Sequence, residues 1–337
     1  MEMRAKGRGD LKEAPSFHPL ASSPGQIPRR AFLCAGAAVF AATTFAKAAR
    51  SIAAEATLPF IEVADGVFVR YGVQEEMSAA NCGAIANIGF IVGDESVAVI
   101  DTGTTRQQGL ALREAVASAT SRPVSHLIAT HVHPDHCFGH AAFSDLPVHS
   151  IGHRNLPRAL AERGPFYLEQ LAEISPDFSD TAYVPPDKTV SDTMRIDLGN
   201  RPLLLKAWPP AHTDNDLTIF DERAGLLWAA DLLFAGRLPT LDGSLTGWLA
   251  ALEILLSPDV RHVVPGHGPV SDGVAALLDE RAYLTRLHDG VRAAIDEGLD
   301  ISATLARLEN DNQLDWLLFD TNHGRNVVAA YTELEWE

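Results

Sequence analysis

Six consecutive residues, His131-Val132-His133-Pro134-Asp135-His136, follow directly on the apolar run Leu127-Ile128-Ala129 and Thr130. Three imidazoles and a carboxylate in so short a span constrain the chain more than any other feature. In extended backbone, residues two apart project to the same side, so His131 and His133 face one point. Asp135 and His136 lie past Pro134, where the chain must turn, and can face a second point. One ion rarely takes all four side chains of so short a segment, whereas two adjacent ions can share them. The stretch reads as a metal site at the end of a strand. The competing reading is a polar loop that is merely rich in histidine. A short helix is expected just beyond it, over Gly139-His140-Ala141-Ala142-Phe143.

Three distant residues close further apolar runs in the same way. His212 follows Trp208-Pro209-Pro210-Ala211, Asp231 follows Leu227-Trp228-Ala229-Ala230, and His267 follows Val263-Val264-Pro265-Gly266. Polar groups at strand ends sit in loops at a sheet edge, where sites form. A carboxylate such as Asp231, if buried, must be paired or metal-bound. Each residue alone is equally well read as a satisfied strand-end polar group; together with the cluster they point to one metal centre.

Alternation and apolar runs predict strands over 66–71, 84–93, 96–101, 124–129, 148–153, 195–198, 203–208, 217–221, 226–230 and 261–264. Helical spacing covers 106–119, 156–173 with a break at Gly164-Pro165, 247–256, 271–296, 301–309 and 324–334. Strands and helices, followed by strands and helices again, suggest two similar halves.

The chain has 337 residues and a formal net charge of −17. Beyond residue 56 it holds 19 basic and 40 acidic residues, so no basic stripe is available for a nucleic acid or an anionic membrane. The three cysteines, Cys34, Cys82 and Cys137, form no CxxC pair. In an oxidising compartment Cys82 and Cys137 could join. Residues 1–28 are polar and patternless. Arg29-Arg30 then precede an apolar, alanine-rich run to Ala46, the pattern of a twin-arginine export signal. Ala46-Lys47-Ala48 and Ala54-Glu55-Ala56 are candidate cleavage sites, and a membrane anchor is the alternative if the signal is retained. The expected organisation is a disordered N-terminus and signal segment over 1–56 and a catalytic domain over 57–337, ending in helices over 271–337. The expected location is the periplasm, with no stable membrane insertion after export.

The order Asp101-Thr102-Gly103, His131-x-His133-x-Asp135-His136, Ala211-His212-Thr213, Ala230-Asp231, Pro265-Gly266-His267-Gly268 resembles the metallo-β-lactamase superfamily over about residues 60–270. The resemblance implies an α/β fold, an αββα sandwich of two mixed sheets flanked by helices. It also implies a ligand division: His131, His133 and His212 on one ion, Asp135, His136 and His267 on a second, Asp231 between them. Imidazole and carboxylate suit Zn²⁺. The implied activity is a dinuclear zinc hydrolase acting on a small-molecule ester, thioester, lactone or amide, with a metal-bridging hydroxide as nucleophile and Asp135 as the catalytic carboxylate that orients it. Asp101 would steady a ligand histidine. A ligand cysteine typical of many β-lactamases is replaced here by Asp231, so β-lactams are not the default substrate. The segment 81–93, with His212-Thr213-Asp214-Asn215-Asp216, is similar to the exported quinoprotein relay system branch, related to proteins encoded near sulfur-oxidation genes. Two other readings stay open. One is a persulfide dioxygenase holding a single iron. The other is a non-catalytic metalloprotein accessory to a periplasmic oxidation pathway. Trp208, Phe138, Phe166, Tyr167 and Arg237 are weaker candidates for a substrate pocket.

Overall fold

The computed structural model describes residues 59–256, 260–310 and 314–336. The export-signal expectation and Cys34 lie outside them.

Strand β1 (Ile61–Ala64), β2 (Val67–Arg70), β3 (Ile88–Val92), β4 (Val97–Ile100), β5 (Val124–Ile128), β6 (His149–His153) and β7 (Lys188–Val190) lie side by side in chain order as one seven-stranded sheet. Pairing is antiparallel from β1 to β4 and parallel from β4 to β7. The parallel steps need crossovers. Helix α1 (Arg106–Ala119) supplies the first, and the short α2 (Pro134–Cys137) with a 3-10 turn (Phe138–Phe143) the second. The third is α3 (Leu156–Ile174). A six-stranded sheet has the order β13-β12-β11-β10-β9-β8, from β8 (Thr193–Asp197), β9 (Pro202–Ala207), β10 (Leu217–Asp221), β11 (Leu226–Phe234), β12 (His262–His267) and β13 (Ser271–Asp272). Only its β11–β12 pair is parallel, with α4 (Leu245–Leu255) between the two strands.

Side-chain alternation divides the core into layers. Val67, Val69, Ile91, Ala98 and Ile100 of the first sheet meet Leu203, Leu205, Ile219, Trp228 and Val264 of the second. The intervening residues Ile88, Phe90, Val97 and Val99 turn outward against Leu112 and Val116 of α1. The outer face of the second sheet is covered by α4, α5 (Ala275–Asp296) and α7 (Phe319–Leu334), through Trp248, Leu252, Leu284, Leu287 and Val327. The short α6 (Ile301–Leu308) packs on α7. The result is the αββα sandwich. Among the described residues no helix is long and apolar enough to cross a membrane.

Several elements differ from the pattern-based expectation: β7 lies where no strand is expected, and β13 occupies the start of the helix expected over 271–296, which begins only at Ala275. Helix α3 runs unbroken through Gly164-Pro165. Gly164 serves close approach rather than a break, because a Cβ there would overlap the Tyr183 ring. Strand β3 starts only at Ile88, and the apolar segment before it forms a loop whose backbone is used elsewhere. Strand β11 continues past Ala230 to Phe234, so Asp231 lies inside it, just after a left-handed residue (Ala230, φ 48°) that disturbs the register with β12. Among the described residues no disulfide joins Cys82 and Cys137.

Candidate metal centre

The seven residues marked by the motifs come together at one end of the sandwich, where β5, β11 and β12 deliver their loops or kinks. Ligand-type atoms of His131, His133, His212 and Asp231 gather at one point, and those of Asp135, His136 and His267 at a second. Within each group they lie within 4.8 Å of one another. His133 Nδ1 is 3.1 Å from His131 Nε2 and 3.0 Å from His212 Nε2. Asp231 addresses both groups. Its Oδ2 is 3.3 Å from His212 Nε2, 3.7 Å from His131 Nε2 and 3.4 Å from His267 Nε2, and its Oδ1 is 3.0 Å from His136 Nε2. Asp135 Oδ2 lies 3.5 Å from His267 Nε2 and 3.8 Å from His136 Nε2.

Each ring is aimed from behind. His136 Nδ1 donates to Asp101 Oδ2 at 2.8 Å, His212 Nδ1 to Thr240 O at 2.7 Å, and His267 Nδ1 to Ile85 O at 2.8 Å. His131 Nδ1 lies 3.1 Å from Thr130 Oγ1, which itself donates to Asp101 Oδ2. His133 is reversed: its Nε2 donates to Asp242 Oδ2 at 3.1 Å and leaves Nδ1 toward the centre. A proton on the far nitrogen leaves the near lone pair for a ligand bond. Asp101 makes its contacts from a left-handed backbone (φ 54°), a strain of roughly 1–3 kcal/mol that the surrounding hydrogen bonds must hold. Gly266 permits the approach of Asp231, since a Cβ there would overlap Asp231 Oδ1.

The donor set fits cations. Burial pushes His131 well below the ordinary imidazole range and His212 down to about 4, so both present neutral lone pairs. His136 is pushed the other way: burial opposes charge, but Asp231, Asp101 and Asp135 outweigh it. Burial would raise Asp231, yet His136, His267 and His131 hold it well below the usual carboxylate range. His136 Nε2 and Asp231 Oδ1 are both buried and 3.0 Å apart, but misaligned for a hydrogen bond with each other. Carboxylates and imidazole nitrogens converging on two points, with the charge on Asp231 balanced chiefly by His136, form an arrangement that divalent ions relieve.

The other candidates fall elsewhere. Arg237 is buried; its Nη1 donates to Glu75 O at 3.2 Å and lies 3.4 Å from His267 Nδ1, behind the centre rather than in a substrate cavity. Trp208 and Phe138 belong to the core, whereas Phe166 and Tyr167 line a cavity beside His133. Asp216 accepts from Thr213 N and Oγ1, and burial raises it to about 7; Asp214 pairs with Arg158. His140 is buried against Thr102 Oγ1, and burial lowers it to about 4. Sequence reasoning missed Asp242, which no motif marks, and Asn87, whose Nδ2 donates to Pro265 O and Gly268 O on either side of His267.

A sequence model of the metallo-beta-lactamase superfamily matches residues 83–267, and the chain belongs to that superfamily as one of its metal-dependent hydrolases. It is 27% identical over 249 residues to the probable metallo-hydrolase YqjP of Bacillus subtilis, covering 62% of this chain and 75% of that one. It is 28% identical to the human acyl-coenzyme A thioesterase MBLAC2, covering 60% and 78%. Among solved structures, a metallo-beta-lactamase from Pontibacter korlensis aligns with a TM-score of 0.54 at 18% identity, over 68% of this chain and 99% of that one. A double mutant of the sec-alkyl sulfatase PisA1 aligns with a TM-score of 0.65 at 16% identity, over 85% of this chain and 52% of that one. At these identities the structural likenesses speak for the fold alone.

Proposed function

We propose that the chain is a dinuclear zinc hydrolase that opens an ester or thioester at its carbonyl carbon. The observation that carries this reading is Asp231, whose carboxylate lies within 3.7 Å of histidines of both groups. His131, His133 and His212 would hold one ion, Asp135, His136 and His267 the other, and Asp231 both. Bound there, zinc would polarise the substrate carbonyl and make hydroxide available at neutral pH. Asp135 borders an open cavity with His133, Tyr167 and Gln170. Its carboxylate accepts a hydrogen from the attacking water and so fixes the direction of attack. The water oxygen bonds the carbonyl carbon, the acyl–oxygen or acyl–sulfur bond breaks, and the proton on Asp135 passes to the leaving atom. Thioesters stand first among the candidates because one relative bears the name of an acyl-coenzyme A thioesterase. Export to the periplasm through the Arg29-Arg30 segment is part of the same proposal.

Elemental mass spectrometry on protein purified without added metal or chelator tests the reading, together with turnover of a neutral ester and a neutral thioester. Two zinc ions per chain and turnover of either substrate are expected. One iron per chain, or two zinc ions with no turnover, would overturn it.

A further inference from the structure

We propose that the cavity between α3 and α7 is a subsite for an anionic group, a carboxylate or a phosphate, carried on the leaving-group side of the substrate, with Arg325 as its anchor. The carbonyl part of the proposal rests on the hydrolase reading above; the anion subsite does not. The cavity has a volume of about 430 Å³ and reaches His133. Helix α7 presents Asn322, Arg325 and Asn326 to it, at the i, i+3, i+4 spacing of one helical face. The two asparagines are buried and engaged. Asn326 Nδ2 donates to Pro239 O and Tyr283 OH, its Oδ1 accepts from Leu241 N, and Asn322 Nδ2 donates to Glu76 Oε1. The bonds of Asn326 to Pro239 and Leu241 tie α7 to the segment Pro239–Asp242 that also steadies His212 and His133. The wall is therefore held in register with the metal centre.

Arg325, between them, is exposed and has no carboxylate partner among the described residues. Arg113, Arg158, Arg201 and Arg281, by contrast, are all held in ion pairs. Across the cavity Arg163 is spanned by Asp242, so their charges cancel locally. The cavity is left with the single positive charge of Arg325, on a chain that is acidic overall. The neighbouring cavity, about 480 Å³ and also reaching His133, has the opposite character. Glu76 and Glu173 line it together with Met77, Leu171 and Ile174. An anion is repelled there and an apolar acyl group is accepted. The two cavities meet at His133, Tyr167 and Gln170. A carbonyl at that junction is oriented by charge: acyl chain toward Met77 and Ile174, anionic leaving group toward Arg325.

Three thioesters sharing one butanoyl group test this on the zinc-loaded protein. S-butanoyl-N-acetylcysteamine is neutral, S-butanoyl-N-acetylcysteine adds one carboxylate, and butanoyl-coenzyme A adds phosphates. Wild type should prefer at least one anionic member, and which one identifies the anion. Arg325→Gln should cut kcat/KM for that member about tenfold through KM, leave the neutral thioester within about twofold, and be largely restored in Arg325→Lys. An equal loss on all three, or no loss on the anionic ones, would overturn the subsite. If none of the three is hydrolysed, thioester hydrolysis fails, and calorimetry with S-methyl-N-acetylcysteine and adenosine 3′,5′-bisphosphate still decides. Binding to wild type that weakens about tenfold in Arg325→Gln supports the subsite. Absent binding, or binding indifferent to the substitution, removes it.

Discussion

At the scale of single residues the centre depends on a few side chains whose neighbours leave no alternative. Gly266 has no Cβ because the Asp231 carboxylate occupies that space. Gly266→Ala is expected to displace Asp231 and lower the metal bound per chain below that of the wild type, by elemental analysis, with far-ultraviolet circular dichroism unchanged. Asp135 has a different task, at the cavity edge. Asp135→Asn keeps an oxygen near His267 but removes the carboxylate proposed as the base. It should retain most of the metal and lose at least about 100-fold in kcat, within the roughly 10²–10⁴-fold usual for a positioned acid–base group. Wild-type-like turnover in that variant would take the proton-carrying role away from Asp135. Motif spacing singled out seven residues, because histidine and aspartate closing apolar runs are conspicuous. Asp242 was not legible. Its partner His133 is 109 positions away, and a lone aspartate in a turn has the appearance of any solvated one.

At the scale of elements, helix α3 is the instructive case. Gly164 and Pro165 carry the usual signals of a helix break. The helix nevertheless continues, because its apolar face, Leu156, Ala159, Leu160 and Leu171, packs on Val132 of the metal motif and on Phe138 just after it. That burial outweighs the missing amide hydrogen bond. Gly164→Ala would gain helix propensity by up to about 1 kcal/mol. The overlap with Tyr183 works against it, and overpacking of this kind costs about 1–3 kcal/mol. A net loss of about 1 kcal/mol is expected in urea unfolding; a gain would mean that Tyr183 moves freely. Segment 84–87 shows the converse. Its apolar residues have the appearance of strand, but the backbone of Ile85 and the side chain of Asn87 serve the His267 loop instead.

For the whole molecule, stability and metal content are linked. Without cations, His136 and Asp231 are buried with ligand atoms unsatisfied. A ligand at about 1,000 times its Kd stabilises by about 4 kcal/mol, and each kcal/mol moves Tm by about 2–4 °C in a domain of this size class. Chelation should therefore lower Tm by about 8–16 °C, reversibly on adding zinc; an unchanged Tm would mean that the fold does not use the metal. Glu280 adds a pH dependence. It is fully buried on α5, its Oε1 accepts from Phe234 N, its Oε2 has no partner among the described residues, and burial raises it well above its ordinary 4.5. A raised folded-state value means that stability is intact below about pH 4.5 and is lost as pH climbs toward the folded value. Glu280→Gln removes that loss, so its stability relative to wild type should rise with pH above 4.5, read as Tm across a pH series. A constant difference would place Glu280 outside this linkage.

The sequence by itself determined most of the strand and helix order, though not the short β7 and β13, and the seven candidate ligands, since periodicity and clusters of imidazole beside apolar runs are local properties of the chain. Only the tertiary structure decided which nitrogen of each histidine faces the centre, that Arg237 lies behind it, and that Asp242, Asn87 and Arg325 belong to its surroundings. Those facts depend on contacts across tens to hundreds of residues. There the energy of burial and long-range hydrogen bonding, rather than local preference, selects the conformation.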